Sequence, residues 1–177
     1  IASLAPTLAN TQESANDMAA SSVVVATRRL TEEQYRQSIA DIFGDDIQIN
    51  ARFEPERREQ GLLALGNATL SMTAAGFEQF FGLSQDIAAQ VLDESRRKQT
   101  MICSPANNAA HDSDCAADFI THYGEALFRR PLTQAELNAR MTTAETGTAQ
   151  TGDFYEGLEL ALASLLTAPD FLFRMER

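Results

Sequence analysis

Tryptophan is absent from this 177-residue sequence, and glycine, proline and cysteine are scarce, at 9, 5 and 2 residues. Glycine and proline interrupt helices, so their scarcity in an alanine-rich chain favours helical structure. No stretch approaches about 18 uninterrupted apolar residues, and the sequence therefore offers no candidate for a membrane-spanning helix.

Positive charge is also in short supply. The chain has 14 Lys and Arg residues against 25 Asp and Glu residues, a formal net charge of −11. Binding to nucleic acid or to anionic lipid needs a basic face, so this balance argues against both partners. Apolar residues at 44% and charged residues at 22% are ordinary for a single globular domain.

The first 27 residues differ in composition from the rest. They are rich in Ala, Ser, Thr and Asn, and they lack the charged start and apolar core of an intact signal peptide. We expect residues 1–27 to form a flexible tether, as at the mature start of an exported chain. Residues 28–177 are then expected to form a single helical domain, the N-terminal part of a longer protein.

Two capping boxes mark helix starts. In each, a threonine stands three residues before a Gln or Glu: Thr31 before Gln34, and Thr133 before Glu136. Leu30 is placed to pack on the first helix as a hydrophobic staple. The apolar residues of that helix follow helical spacing up to Gly44 and are Tyr35, Ile39, Ile42 and Phe43.

The longest helix is predicted from about Thr73 to Lys98. Its apolar positions follow the 3.6-residue period and are Phe77, Phe80, Phe81, Ile87, Ala88, Val91 and Leu92. Before it, the short apolar run Leu62–Leu65 is expected to touch the core. Later helices are predicted at 115–128, 133–147 and 154–167. Since two capping boxes and several segments with the helical period mark helices, we expect an all-α fold, an irregular bundle of about five to seven helices.

Cys103 and Cys115 flank a polar loop. Together with His111 and His122 they form a C-x7-H-x3-C-x6-H pattern, which does not match the spacing of structural zinc sites. Nor do they form the C-x-x-C of a redox motif. We expect a disulfide that closes the loop, provided that the protein is exported.

The acidic run from Asp112 to Asp114 lies within the same loop. It lacks the number of ligands and the glycine of an EF-hand calcium loop. We expect it to be solvated and to cap the following helix through Ser113 or Asp114.

Two arginine pairs precede the two capping boxes, Arg28–Arg29 and Arg129–Arg130. Such a pair can clamp a carboxylate or a phosphate. The structural interpretation is favoured: Arg129 and Arg130 complement the end of the preceding helix, and all four pair with the excess of acidic groups. No nucleophile elbow, phosphate loop or dinucleotide fingerprint is present, so the sequence predicts neither a self-contained hydrolase nor a dehydrogenase.

The last residues are strongly apolar. Phe171, Leu172, Phe173 and Met175 would form an exposed patch if water surrounded them, and such patches mark interfaces. We expect this segment to dock either into a groove of the domain's own core or against a second polypeptide.

Several of these stretches resemble the N-terminal helical modules of planctomycete-type exported multidomain proteins of unknown function, which are associated with c-type cytochrome domains. The first half shows the resemblance in Arg28-Arg29-Leu30-Thr31 and in the run to Gly44. The second half shows it from Cys103-Ser104-Pro105 onward and in Ala126–Thr133. The most specific part is Pro169–Arg174.

The resemblance implies an exported protein, in the periplasm or outside the cell, and it supports the disulfide. It implies no cofactor within this chain; haem is expected only in a partner or in a missing downstream domain. The implied partner is a second polypeptide or a downstream domain of the same precursor, a c-type cytochrome among the candidates.

Three hypotheses for function follow. The first is a helical scaffold or interaction module of an exported, cytochrome-linked oxidoreductase system. The second is a catalytic module that acts on extracellular polymers such as polysaccharides, with two carboxylates as general acid and base. The third is a structural subunit of a surface assembly, which would need a large, flat apolar interface.

Overall fold

The computed structural model describes residues 26–51, residue 53 and residues 72–176. This part of the chain forms seven helices and two short strands, which confirms the all-α prediction. Residues 1–25 and the run Leu62–Leu65 lie outside the described residues, so the tether and the domain boundaries stay predictions. The elements are β1 Ala26–Arg29, α1 Glu32–Phe43, α2 Ala74–Val91, α3 Arg97–Thr100, α4 Ser113–Phe128, α5 Gln134–Thr151, α6 Phe154–Leu166, α7 Pro169–Leu172 and β2 Phe173–Glu176.

Both predicted capping boxes are confirmed. At α1, the Thr31 hydroxyl accepts a hydrogen bond from the Gln34 backbone N–H at 3.1 Å, and the Gln34 side chain accepts one from the Thr31 N–H at 3.1 Å. At α5, Thr133 and Glu136 make the same reciprocal pair. These bonds satisfy backbone donors that the first turn of a helix leaves without an internal partner.

The helix predicted from Thr73 to Lys98 begins as expected, but its predicted C-terminal end is wrong. Thr73 does cap the helix, but α2 ends at Val91. The Asp93 carboxylate accepts a hydrogen bond from the Ser95 N–H at 2.9 Å, and its carbonyl accepts one from the Arg96 N–H at 2.8 Å. This side-chain turn competes with continued helix, so α3 follows as a separate short element.

Helices α5 and α6 approach each other closely enough for their backbones to touch. A Cβ added at Gly147 would lie 2.9 Å from the Cα of Gly157. A Cβ added at Gly157 would collide with the Thr148 side chain and the Ala144 carbonyl oxygen. Glycine at these two positions is therefore what allows the close approach.

The core is continuous across the bundle. Tyr35 of α1 packs its ring against Phe53, Phe80 and Phe171, with centroids 5.4 to 5.6 Å apart. Burial raises the pKa of Tyr35, whose hydroxyl has no hydrogen-bond partner within the described part of the chain. The largest fully buried side chains are Tyr35, Phe119, Phe154, Phe171, Ile39, Ile87, Leu92, Ile120, Leu127, Leu158, Leu162 and Leu165.

The two strands pair antiparallel and join the two ends of the described chain. Arg28 lies opposite Arg174, and Arg29 lies opposite Phe173. The pairing continues inward with a hydrogen bond from the Leu30 N–H to the Leu172 carbonyl, at 2.9 Å. Strands β1 and β2 therefore bring together segments almost 150 positions apart in the sequence.

Candidate interaction surfaces

A disulfide joins Cys103 and Cys115, whose Cα atoms lie 5.5 Å apart. It links the loop after α3 to the first turn of α4, where Cys115 is buried. Because the two cysteines are bonded to each other, neither offers a free thiolate to bind zinc together with His111 and His122. In the described chain, no group of three or more His, Cys, Asp or Glu side chains is placed to hold a metal ion.

The loop caps α4 through a different residue from those expected. Asp112, rather than Ser113 or Asp114, accepts a hydrogen bond from the Cys115 N–H at 3.1 Å. Its second carboxylate oxygen accepts from the Ala106 N–H, also at 3.1 Å. These hydrogen bonds, the one from Cys115 first, lower the pKa of Asp112. The Asp112 carboxylate therefore folds the loop back on itself.

The two histidines lie apart from each other in the fold. His111 sits in the disulfide loop with its ring 6.3 Å from that of Phe154, centroid to centroid. His122 is exposed on α4, with its ring edge against Tyr123. An open concavity of about 380 Å³ lies beside His111 and the acidic run 112–114.

Arg130 is the centre of a polar network at the corner between α4 and α5. Its guanidinium donates to both carboxylate oxygens of Glu136, at 2.9 and 2.7 Å, and also to the Asp170 carboxylate. The hydrogen bonds from Arg130, followed by one from the Thr133 N–H, lower the pKa of Glu136 to about 2. The structural interpretation of Arg130 is therefore confirmed: it ties the capping box of α5 to the start of α7.

Arg129 ends α4 in the left-handed region, with φ of 58°, as few residues other than glycine do. Its guanidinium donates to the backbone carbonyls of Asp170 and Phe171, at 3.4 and 3.2 Å. Burial lowers the pKa of Arg129, and the nearby charge of Arg174 lowers it further. Arg129 thus holds the C-terminal segment through hydrogen bonds to uncharged backbone carbonyls.

The apolar C-terminal segment packs into the domain's own core. Phe171 is fully buried, Leu172 is buried, and Phe173 is half-buried against the core cluster. The side chain of Met175 lies outside the described residues. An interface between Phe171–Met175 and a second polypeptide stays a prediction, and Phe171 and Leu172 are already covered by this chain.

Two phenylalanines among the periodic apolar positions of α2 are nearly half exposed. Phe77 is 47% exposed and Phe81 is 48% exposed, one helical turn apart on α2. The helix instead buries a narrower stripe that includes Phe80, Leu83 and Ile87. Phe77 and Phe81 follow the helical period yet stay about half exposed, because neighbouring elements cover only part of the broad apolar face of α2.

Another polar surface lies where α3 meets α6. The Arg97 guanidinium stacks over the Tyr155 ring, 3.7 Å from its centroid, and donates to the Leu92 carbonyl at 2.8 Å. Burial raises the pKa of Glu159, and the charge of Glu156 raises it further. Arg97 therefore joins the two elements in an otherwise acidic neighbourhood.

The comparison with known proteins gives two family matches. Residues 28–93 match PSD3, described as a protein of unknown function (DUF1587), and residues 115–176 match PSD5, described as a protein of unknown function (DUF1595). No curated protein and no solved structure matches the chain. The chain thus carries one region similar to each of two families of unknown function.

The two matched regions share one core in this fold. Strand β1 of the first pairs with β2 of the second. Tyr35 of the first packs on Phe171 of the second, and α2 packs on α6. Among residues 26–51, 53 and 72–176, no helix combines the length and the apolar composition that a membrane span requires.

Proposed function

We propose that this domain is a helical interaction module of an exported, cytochrome-linked oxidoreductase system. The observation that carries the proposal is the outer face of α2, where Phe77 and Phe81 are each nearly half exposed. Aromatic side chains are enriched at the centres of protein–protein contacts, and exposed apolar patches mark such contacts.

The charge of this face supports the same function. From Ala74 to Gln85 the sequence holds a single charged residue, Glu78, in a chain whose net charge is −11. Most of the surface of such a chain repels another acidic protein. An acidic partner can therefore approach the α2 face at a lower electrostatic cost than other parts of the surface.

Gly82 gives a further reason to place a partner here. It lies inside α2, has no positive φ, and a Cβ built on it would meet nothing within 4 Å. Glycine in a helix interior costs about 1 kcal/mol relative to alanine, and no packing within the described chain explains that cost. The close approach of a partner's surface to the helix backbone would explain it.

The cytochrome link rests on the resemblance of the matched segments to cytochrome-associated proteins, and export is supported by the disulfide, since disulfides persist mainly outside the cytoplasm. The occupant proposed for the α2 face is an apolar surface of a c-type cytochrome domain from the same system. No haem is proposed within this chain.

The test mixes the purified chain with a c-type cytochrome domain from the same exported system and follows haem absorbance in size-exclusion chromatography. We expect the haem to elute with the wild-type chain and to separate from it in the Phe77→Ser/Phe81→Ser variant. Ile102→Ser is the matched control, because Ile102 is also exposed, at 52%, but lies outside α2.

Three results would overturn the proposal. In the first, haem does not elute with the wild-type chain. In the second, the double variant changes only the self-association of the chain, which would make the face a contact between copies. In the third, the double variant lowers the unfolding midpoint as much as a core substitution, which would mean that the chain itself covers this face.

A further inference from the structure

A second candidate interaction surface is the end of the bundle formed by β1, β2 and the last turn of α4. Five of the 14 cations of this acidic chain gather there. They are Arg28, Arg29, Arg129, Arg130 and Arg174. Arg130 pairs with the carboxylates of Glu136 and Asp170.

Two of these cations have no carboxylate partner in the described part of the chain. Arg129 donates only to the backbone carbonyls of Asp170 and Phe171. Arg174 is exposed and makes no ion pair there. Arg174 lies close enough to Arg129 for its positive charge to destabilise the charged form of Arg129. An anion bound between them would relieve this repulsion.

Strand β2 adds an open backbone edge to this positive charge. Pairs alternate along an antiparallel ladder between hydrogen-bonded and non-hydrogen-bonded types. The hydrogen bond between Leu30 and Leu172 makes Arg28–Arg174 a hydrogen-bonded pair. The N–H and C=O groups of Phe173 and Met175 therefore face away from β1. The Phe173 N–H already donates to the Pro169 carbonyl, so the groups left at this edge are the Phe173 C=O and the Met175 N–H and C=O. The structure describes no further strand beside them.

A free backbone edge and an unmatched pair of cations select one kind of ligand. Phosphate ions and lipid headgroups would use the charge but not the edge. An extended peptide uses both, since its backbone adds a strand and its alternate side chains project to one face. We propose that the outer edge of β2, with Arg129 and Arg174, docks an extended acidic peptide segment of a partner protein.

The test uses a labelled synthetic peptide of alternating glutamate and valine, with fluorescence anisotropy on the full chain. Arg174→Glu is expected to weaken binding at least tenfold. Lys98→Glu is the matched control, because it makes the same change in net charge at an exposed residue of α3 and is expected to weaken binding less than threefold. Raising the salt concentration is expected to weaken wild-type binding.

Two further probes separate strand addition from simple attraction of charge. The same peptide with N-methylated backbone amides is expected to lose binding, and so is the peptide with glutamine in place of glutamate. Hydrogen exchange at the Met175 amide is expected to slow when the unmodified peptide binds, whereas the Phe173 amide, already bonded to Pro169, is expected to change less.

Several results would overturn this proposal. They are undetectable wild-type binding at millimolar peptide, equal loss in Arg174→Glu and Lys98→Glu, and unchanged binding of the N-methylated or glutamine peptide. Competition by inorganic phosphate as strong as that by the peptide would assign the site to small anions instead. The Phe77→Ser/Phe81→Ser variant is expected to keep peptide binding, so this result stands apart from the test of the α2 face.

Discussion

Gly157 and Gly82 both lie inside helices, and the space around them differs completely. At Gly157, between α5 and α6, an added methyl group would collide with the Thr148 side chain and the Ala144 carbonyl. At Gly82, on the outer face of α2, the same methyl group would meet nothing within 4 Å. The first region is closed by the chain's own packing, whereas the second presents backbone and aromatic side chains to its surroundings.

This contrast extends to the aromatic residues of the two regions. Phe171 is fully buried among Tyr35 and its neighbours, while Phe81 is 48% exposed. The same type of residue therefore stabilises the fold in one region and remains available for binding in the other. Stability and association should respond to different substitutions.

The largest expected effect comes from the closed region. Phe171→Ala is expected to lower the free energy of unfolding by about 3–5 kcal/mol, because it leaves a cavity in the core. Phe81→Ala, the control on the open region, is expected to change it by less than about 0.5 kcal/mol. Urea unfolding of both variants measures the difference. Equal losses would show that α2 is as closed as the core.

The disulfide gives the next largest effect. Removing it in Cys103→Ser/Cys115→Ser is expected to cost about 3 kcal/mol, because the link restricts the unfolded chain. Intact-mass measurement should show a gain of two hydrogen atoms on reduction of the wild type. Two thiols that alkylate freely in the native, unreduced protein would contradict the link.

Gly157→Ala tests the contact between α5 and α6 directly. We expect a loss of about 1–3 kcal/mol, because the methyl group pushes against a backbone carbonyl that cannot move without moving the helix. Thermal unfolding measures it. Adding Thr148→Ala should restore only part of the stability, since the collision with the Ala144 carbonyl remains; full restoration would place the strain in the side chain alone.

The Arg130 network predicts how stability depends on pH. The pKa of Glu136 is about 2 in the folded protein and is ordinarily 4.5, so its stabilising effect is present above about pH 4.5 and is lost as pH falls towards 2. Glu136→Gln keeps the shape of the capping box and removes the charge. It is expected to lower the free energy of unfolding by only about 1 kcal/mol at pH 7, because solvent partly screens the ion pair with Arg130.

Unfolding experiments from pH 2 to pH 7 on both proteins measure this dependence. The two stability curves should converge in acid, because the wild-type carboxyl group is then protonated and no longer charged. A constant separation across that range would assign the effect to packing instead.

Gly82→Ala has the smallest expected effect on stability, and its sign is opposite. The free energy of unfolding should rise by about 0.5–1 kcal/mol, since alanine favours a helix and the methyl group has room. The same substitution should weaken association through the α2 face. Destabilisation in the isolated chain would show that the open space at Gly82 is already filled.

Local features were predictable because their partners lie three or four residues away. The capping boxes at Thr31 and Thr133 are of this kind. The turn at Asp93 was equally local and was missed, although an Asp two residues before Ser95 is a recognisable signal for a side-chain turn. The cap at Asp112 was missed by one residue because three neighbouring side chains had the chemistry to serve.

Other features had no local signal. The left-handed conformation of Arg129 is held by contacts with Asp170 and Phe171, about 40 positions later. Strands β1 and β2 are four residues each. The sequence of β1 shows no alternation, and that of β2 alternates over only four residues, so neither was recognised as a strand. Nothing in the spacing of α2 distinguished the covered Phe80 from the exposed Phe81.

By itself the sequence determined the helical class and both capping boxes. It also left only one possible disulfide, since two cysteines allow only one pairing. The tertiary structure alone decided which side of α2 is covered, which arginines find carboxylates, and that the two ends of the described chain pair as strands. The physical reason is how far apart in the sequence the interacting groups lie. Caps and turns are settled within one turn of backbone, whereas burial and charge pairing depend on segments that only the folded chain brings together.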